Sequence, residues 1–179
     1  MRRALCPALV FALWLAAVPA SAAKPFPDLR LPAPKASEAK ALGLPSAAAF
    51  RLSELNAEVA ILVLGGYFCA PCREEAPRLA ELSRIVADRG LSRRVVLLGI
   101  MAGDSAELTA RFRNDFAVPY PLFPDPFYEL HRALGSPAVP QIYALRLGRK
   151  LELVLAKSCG FRETPAKFLD LVLAKAGLR

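Results

Sequence analysis

The order of elements predicts an α/β sandwich with a mixed central sheet, and three observations carry that prediction. Residues 59–64 (VAILVL) and 95–100 (VVLLGI) are apolar runs without a charge, the pattern of strands buried on both faces. Each is followed by a stretch with helical spacing of apolar residues. Residues 141–147 and 151–156, separated by Gly148-Arg149-Lys150, then read as a hairpin, which introduces antiparallel pairing. A β-α-β-α order closed by a hairpin and a last helix is that of helices packed on both faces of one sheet. The chain has 179 residues, of which 55% are hydrophobic, enough for one domain with a real core over residues 24–179. No internal repeat is visible.

Residues 1–23 are expected to be a cleaved signal peptide. Arg2 and Arg3 supply the positive start, residues 8–18 the apolar stretch, and Ala20-Ser21-Ala22 the small-residue cleavage site. The apolar stretch falls short of the roughly 20 residues of a membrane span; if retained, it would anchor the chain to a membrane. Cys6 precedes the apolar stretch, which argues against a lipid anchor at the cleavage site. Cleavage removes Trp14, the single tryptophan, together with Arg2 and Arg3, lowering the formal net charge from +8 to +6. No basic run interleaved with aromatics accompanies that charge, so nucleic acid is not an expected partner.

Residues 24–44 are rich in proline and alanine and read as an extended lead-in, with 26–32 as a short edge strand. Residues 50–52 are a second short strand, after which Ser53 is placed to cap a helical turn through Leu55. The helix predicted over residues 73–88 turns Leu79, Leu82, Ile85 and Val86 to the core, carries Pro77 inside it, and ends at Gly90. Asp104-Ser105-Ala106-Glu107 reads as a capping box opening a helix with Leu108, Phe112 and Phe116, stopped before Pro119. Leu122-Phe123 allows at most a short strand, and Pro126 is expected to open a helix reaching about Leu134. Thr164 followed by Pro165 marks the start of a terminal helix carrying Phe168, Leu169, Leu171, Val172 and Leu173.

The chemistry concentrates in Cys69-Ala70-Pro71-Cys72, where the first buried strand hands over to a helix. Free N–H groups and the helix dipole stabilise an anion at that point, so a thiol there is acidic and its thiolate reactive. A C-x-x-C pair closes too small a loop to be an effective structural staple, which favours a redox role. Cys69 is then the attacking nucleophile and Cys72 the resolving thiol, and the redox-active disulfide needs no cofactor. A metal is not expected, because a four-ligand zinc site needs two more Cys or His, and only Cys159 and His131 are available after signal cleavage. Haem attachment needs His after the second cysteine, where Arg73 stands.

Three further groups are ambiguous. Cys159 reads either as an auxiliary thiol or as a small residue packed at a strand end. Glu74 and Glu75 read as a solvated first turn complementing the helix dipole, with a proton relay as the alternative. His131 reads as part of a solvated helix face.

These motifs together resemble the exported TlpA/ResA type of thioredoxin-fold protein, related to the AhpC/TSA redoxin family. The resemblance runs through residues 26–32, residues 50–55, the segment Cys69-Ala70-Pro71-Cys72-Arg73-Glu74-Glu75-Ala76-Pro77, residues 118–126, and Gly135 through Val139-Pro140-Gln141-Ile142-Tyr143. It implies a thioredoxin-like three-layer α/β/α sandwich with an inserted β-α unit and a cis-proline at Pro140. It also implies a substrate surface made by Val139, Pro140, Phe68, Ala70 and Pro71, where the open backbone of Val139 pairs with an extended peptide. Two departures stand out. Phe68 occupies the place where relatives often carry Trp, and the strand 59–64 lacks the buried acid that many thioredoxins use to accept the resolving thiol's proton, Glu58 being the nearest.

The expected function is a periplasmic thiol–disulfide oxidoreductase, with proline at the third motif position resembling the reducing members. The resemblance implies thiol or disulfide proteins of the periplasm, apocytochrome c among them, as substrates, and a membrane thiol-reducing partner. The alternatives are a disulfide-donating oxidase and a non-catalytic peptide-binding module of the same fold. Peroxidase chemistry is less favoured, since residues 62–68 lack the Pro and Thr expected before a peroxidatic cysteine.

Overall fold

The computed structural model describes residues 24–178, so the predicted signal peptide lies outside the described residues. The lead-in forms β1 (Lys24–Pro25), β2 (Arg30–Leu31) and α1 (Ala36–Ala41), followed by β3 (Phe50–Arg51) and a 3-10 turn at Leu52–Glu54. The body follows as β4 (Val59–Gly65), α2 (Ala70–Asp88), β5 (Val95–Ala102), α3 (Ala106–Asp115) and β6 (Leu122–Asp125). Then come α4 (Glu129–Ala133), β7 (Gln141–Arg146), β8 (Glu152–Ser158) and α5 (Pro165–Lys175).

The main sheet has the order β1-β8-β7-β4-β5-β6. β4, β5 and β6 run parallel, while β7, β8 and β1 add antiparallel neighbours, giving the mixed sheet expected from the sequence. β4 is buried along its whole length, and its alternation divides the core. Val59, Ile61 and Val63 face a cluster containing Leu79 and Leu82 of α2 and Phe168, Leu169 and Val172 of α5. Ala60, Leu62 and Leu64 face the other cluster, with Leu29, Leu31, Leu42, Phe50 and Leu52 from the N-terminal segment. Because both faces are covered, β4 has no position where a charge could be tolerated unpaired.

Several local expectations are corrected. The lead-in is not extended throughout: α1 forms because the Glu38 carboxylate accepts the Lys35 N–H (2.9 Å) while Ala39 and Leu42 enter the core. The edge strand expected over residues 26–32 is confined to β2, paired with β3, and a further short strand, β1, precedes it on β8. Ser53 is no cap: its N–H and hydroxyl both donate to Asp28 (3.0 and 2.8 Å), and Glu54 accepts the Arg51 N–H instead. α4 begins three residues after Pro126, following Tyr128 in a left-handed conformation (φ 57°). There the Asp125 carboxylate accepts the Leu130 and His131 N–H groups (3.2 and 2.9 Å), a local bond that outcompetes the proline start. The short strand expected at Leu122-Phe123 is β6, which runs on to Asp125 because β5 supplies a parallel neighbour through Ala102. Thr164 caps α5 as expected, accepting the Lys167 N–H (3.3 Å), whereas α3 is capped one residue later than the expected box, by Ser105 accepting the Leu108 N–H (3.3 Å), because Asp104 is taken up by the Tyr67 N–H.

Sheet register brings distant residues to one edge. Gly65 pairs with Met101, Leu64 with Gln141, and Gln141 with Ser158. The C-terminal ends of β4, β5 and β8 and the start of β7 therefore meet where crevices of open α/β sheets form.

Candidate active site

β4 ends in Gly65-Gly66, and the chain turns through Tyr67 and Phe68 into Cys69, the N-cap of α2. Cys69 and Cys72 are joined as a disulfide. The Cys72 N–H donates to the Cys69 sulfur (3.2 Å), so the helix terminus points a backbone donor at this atom. Cys69 is half-buried, whereas Cys72 is only 4% exposed. Helix α2 starts at Ala70, earlier than the sequence suggested, and continues through Pro77. Ala70 and Pro71 occupy its first turn and are exposed; Phe68 is 79% exposed.

The Val139–Pro140 peptide is cis, and Pro140 sits in the wall of a small apolar void of about 20 Å3 together with Cys72, Gly65 and Met101. Val139 is half-buried and faces the cleft that Cys69 and Phe68 line. Of the residues expected to form the substrate surface, Val139 and Phe68 thus share one cleft with Cys69, Ala70 and Pro71 do not line it, and Pro140 lies behind it against Cys72.

Cys159 is exposed and free rather than packed, which corrects its reading as a packing residue. Its backbone has the site's attention: the Cys159 N–H donates to the Pro140 carbonyl (2.8 Å), and its φ of 59° turns the chain into Gly160. Gly160 is required there, since φ is +80° and a Cβ would stand 2.6 Å from the Glu75 carboxylate.

Glu75 is the larger correction. It is 8% exposed, not part of a solvated turn, whereas Glu74 remains in solvent. One helical turn below Cys72 on the same face, its carboxylate accepts the Phe161 N–H (3.4 Å) and pairs with Arg78 (3.5 Å). Arg78 in turn donates to the Phe161 and Glu163 carbonyls (2.8 and 2.6 Å) and lies over the Phe161 ring. Burial raises the Glu75 pKa, against the lowering effects of Phe161 and Arg78. The sequence placed Glu75 beside Glu74 in a first turn; only the return of residues 159–161 covers one and leaves the other wet.

The raised pKa fixes a direction for stability. The folded state holds this proton more tightly than the unfolded one, so the favourable contribution is present below the unfolded pKa and is lost as pH rises through the folded value. Relative to wild type, Glu75→Gln is expected to gain stability as pH increases from about 4 to about 8. Urea titrations at the two pH values measure it, and a pH-independent difference would contradict the assignment.

Two residues were missed. Asp104 was read as part of a capping box, but it is 3% exposed and accepts the Tyr67 N–H (2.7 Å), fixing the turn before Cys69. Tyr67 is held further by its hydroxyl to Asp115 (2.9 Å) and by Arg111 over its ring. Burial raises the Asp104 pKa, opposed by that single N–H. His131 is half-buried rather than on a solvated face; its Nε2 bonds the Pro137 carbonyl (2.8 Å), two residues before Val139, and the ring lines the Cys69 cleft. An acid just beyond the end of a buried strand was the available signal for Asp104; nothing local marked His131. Among the described residues no group of three or more His, Cys, Asp or Glu side chains is placed to hold a metal ion, and no helix is long and apolar enough to cross a membrane.

Solved structures share this fold. A thiol:disulfide interchange protein of the thioredoxin family from Chlorobium tepidum TLS superposes with a TM-score of 0.60 at 17% identity, covering 87% of this chain and 97% of its own. A secreted thiol-disulfide isomerase from Corynebacterium glutamicum gives a TM-score of 0.61 at 24% identity, with 84% of each chain covered. A secreted disulfide oxidoreductase from Mycobacterium tuberculosis gives 0.59 at 16%, covering 82% of this chain and 96% of its own. The architecture is thioredoxin-like. No curated relative matches the chain. The sequence profile of the AhpC/TSA family matches residues 23–149, a span that holds Cys69, Cys72 and Pro140 and most of the sheet, and the chain therefore belongs to the AhpC/TSA family.

Proposed function

We propose that the protein is an exported thiol–disulfide oxidoreductase of the TlpA/ResA type, working as a reductase of partner disulfides. The observation that carries this reading is the asymmetry of the pair: a half-buried Cys69 whose sulfur accepts a helix N-terminal N–H, and a buried Cys72 one turn above a buried carboxylate. In the dithiol state the Cys69 thiolate attacks one sulfur of a partner disulfide. A Cys69–partner disulfide forms, and the displaced partner thiolate takes up a proton. Cys72 then loses its proton and attacks the Cys69 sulfur, leaving the Cys69–Cys72 disulfide and a second partner thiol. Two electrons pass to the partner.

The strand beneath the motif offers no acid, so the Cys72 proton passes to the buried carboxylate of Glu75, three residues further along α2. Val139 and Phe68 receive the partner as an extended segment, with Pro140 behind Val139 and the exposed Ala70 and Pro71 at the start of α2 completing the surface. Cys159 acts through its backbone, by holding the Pro140 carbonyl. Substrates are thiol or disulfide proteins of the periplasm, and a membrane thiol-reducing partner restores the dithiol. Equilibration of the pair with a glutathione or dithiothreitol buffer tests the direction. A potential near about −270 mV is expected for a reductase, and one near about −120 mV would reverse the reading to a disulfide donor.

A further inference from the structure

Beside Cys69 opens a cleft of about 380 Å3, within the size range of sites that enclose a ligand group. Its walls are mostly apolar and aromatic: Phe68, Tyr128, Val139 and Pro137. Tyr128 can lie as a wall only because residue 103 is glycine, as a Cβ there would overlap the Tyr128 hydroxyl. The lining also includes one acid, Asp104. Its Oδ2 accepts the Tyr67 N–H, and no other hydrogen bond reaches the carboxylate among the described residues. Nor does any Lys, Arg or His of the described residues lie within 4.0 Å of it, unlike Glu58, Glu75 or Asp170. His131, in the same cleft, is engaged with the Pro137 carbonyl instead. Asp104 as a residue is 3% exposed, and a carboxylate so enclosed without a cation is costly, a cost that an arriving cation lowers. Aromatic walls around it add attraction for a cation and pack an aliphatic stem.

We propose that this cleft is a subsite for a lysine or arginine side chain flanking the reactive cysteine of the partner disulfide, with Asp104 receiving its charged head. The proposal rests on the thiol–disulfide reading and gives it a substrate class. Long-range charge does not supply the same preference, because the whole chain carries a formal net charge of +8 and would attract acidic partners. A preference for a basic flank therefore reports the local carboxylate.

The test uses symmetrical disulfide-linked dimers of one short peptide, with lysine, norleucine or glutamate beside the cysteine. Reduction by the dithiol protein is followed by stopped flow at near-physiological salt, and each rate is divided by that with glutathione to remove the peptide's own thiol acidity. Lysine dimers are expected to react about tenfold faster than norleucine dimers, with glutamate dimers slowest. Asp104→Asn keeps an oxygen for the Tyr67 N–H while removing the charge, and is expected to bring the lysine preference below about threefold whatever the absolute rate. A wild-type preference below about threefold, or one that survives Asp104→Asn, overturns the subsite. If glutathione reduces all three dimers and the protein reduces none, the thiol–disulfide reading itself falls, and the subsite with it.

Discussion

Replacing Cys69 by alanine is expected to abolish disulfide reduction, with a loss on the order of a thousandfold or more, because its half-buried sulfur accepts the Cys72 N–H while the Cys72 sulfur is buried. The measurement is insulin-type reduction with dithiothreitol as the electron source. Cys72→Ala gives the complementary result. Attack by Cys69 survives, resolution does not, and the partner remains attached as a mixed disulfide detectable on a non-reducing gel. The two variants separate an enzyme from a peptide-binding module of the same fold. In a module, Cys69→Ala would leave partner binding unchanged and Cys72→Ala would trap nothing. The assignment also depends on exposure: Cys69 is the reachable sulfur, while Cys72 is 4% exposed.

The second large effect is on stability. Phe168→Ala is expected to cost about 3–5 kcal/mol, a large share of the roughly 5–15 kcal/mol that holds a domain together. Phe168 is fully buried and stacks on Phe161 with ring centroids 4.3 Å apart. Phe161 presents the N–H that reaches Glu75 and the ring on which Arg78 rests. The substitution therefore removes packing and also loosens the segment that covers the carboxylate below Cys72. Urea unfolding of the oxidised protein measures the loss, with the denaturant slope unchanged. A loss below about 1.5 kcal/mol would mean that the neighbouring rings collapse into the space.

Those two residues illustrate what could be read in advance. The sequence marked Phe168, Leu169, Leu171, Val172 and Leu173 as the apolar residues of the terminal helix, and the structure buries Phe168, Leu169 and Val172 while Leu171 and Leu173 stay half-buried. Nothing local tied Phe161 to them, since the stacking depends on where the chain lands after β8. Capping was legible where one side chain and its own helix decided it, as at Thr164, and was displaced by one residue at α3, where Tyr67 takes up Asp104 and Ser105 caps instead. It failed where another segment intervened: Asp28 takes up Ser53 across 25 positions, and Asp125 overrides Pro126 at the start of α4. α1 was hidden in a proline- and alanine-rich stretch because six residues carry too little periodicity to declare a face.

The sequence by itself determined the two charge-free strands, the helices that flank them, the closing hairpin, and the C-x-x-C motif at a strand–helix junction. These depend on periodicities and local geometry within one segment, where residue type is sufficient. Only the tertiary structure decided which acid is buried and which thiol is exposed. Glu74 and Glu75 are adjacent in the chain, yet the 159–161 segment covers the second alone, and burial raises its pKa. Cys159, by contrast, contributes a backbone N–H to Pro140 and leaves its sulfur in solvent. Asp104 and His131 reach the Cys69 cleft because β5 and α4 end there. Desolvation and convergence belong to the assembled sheet edge, where segments from β4 to β8 meet, and no single segment contains them.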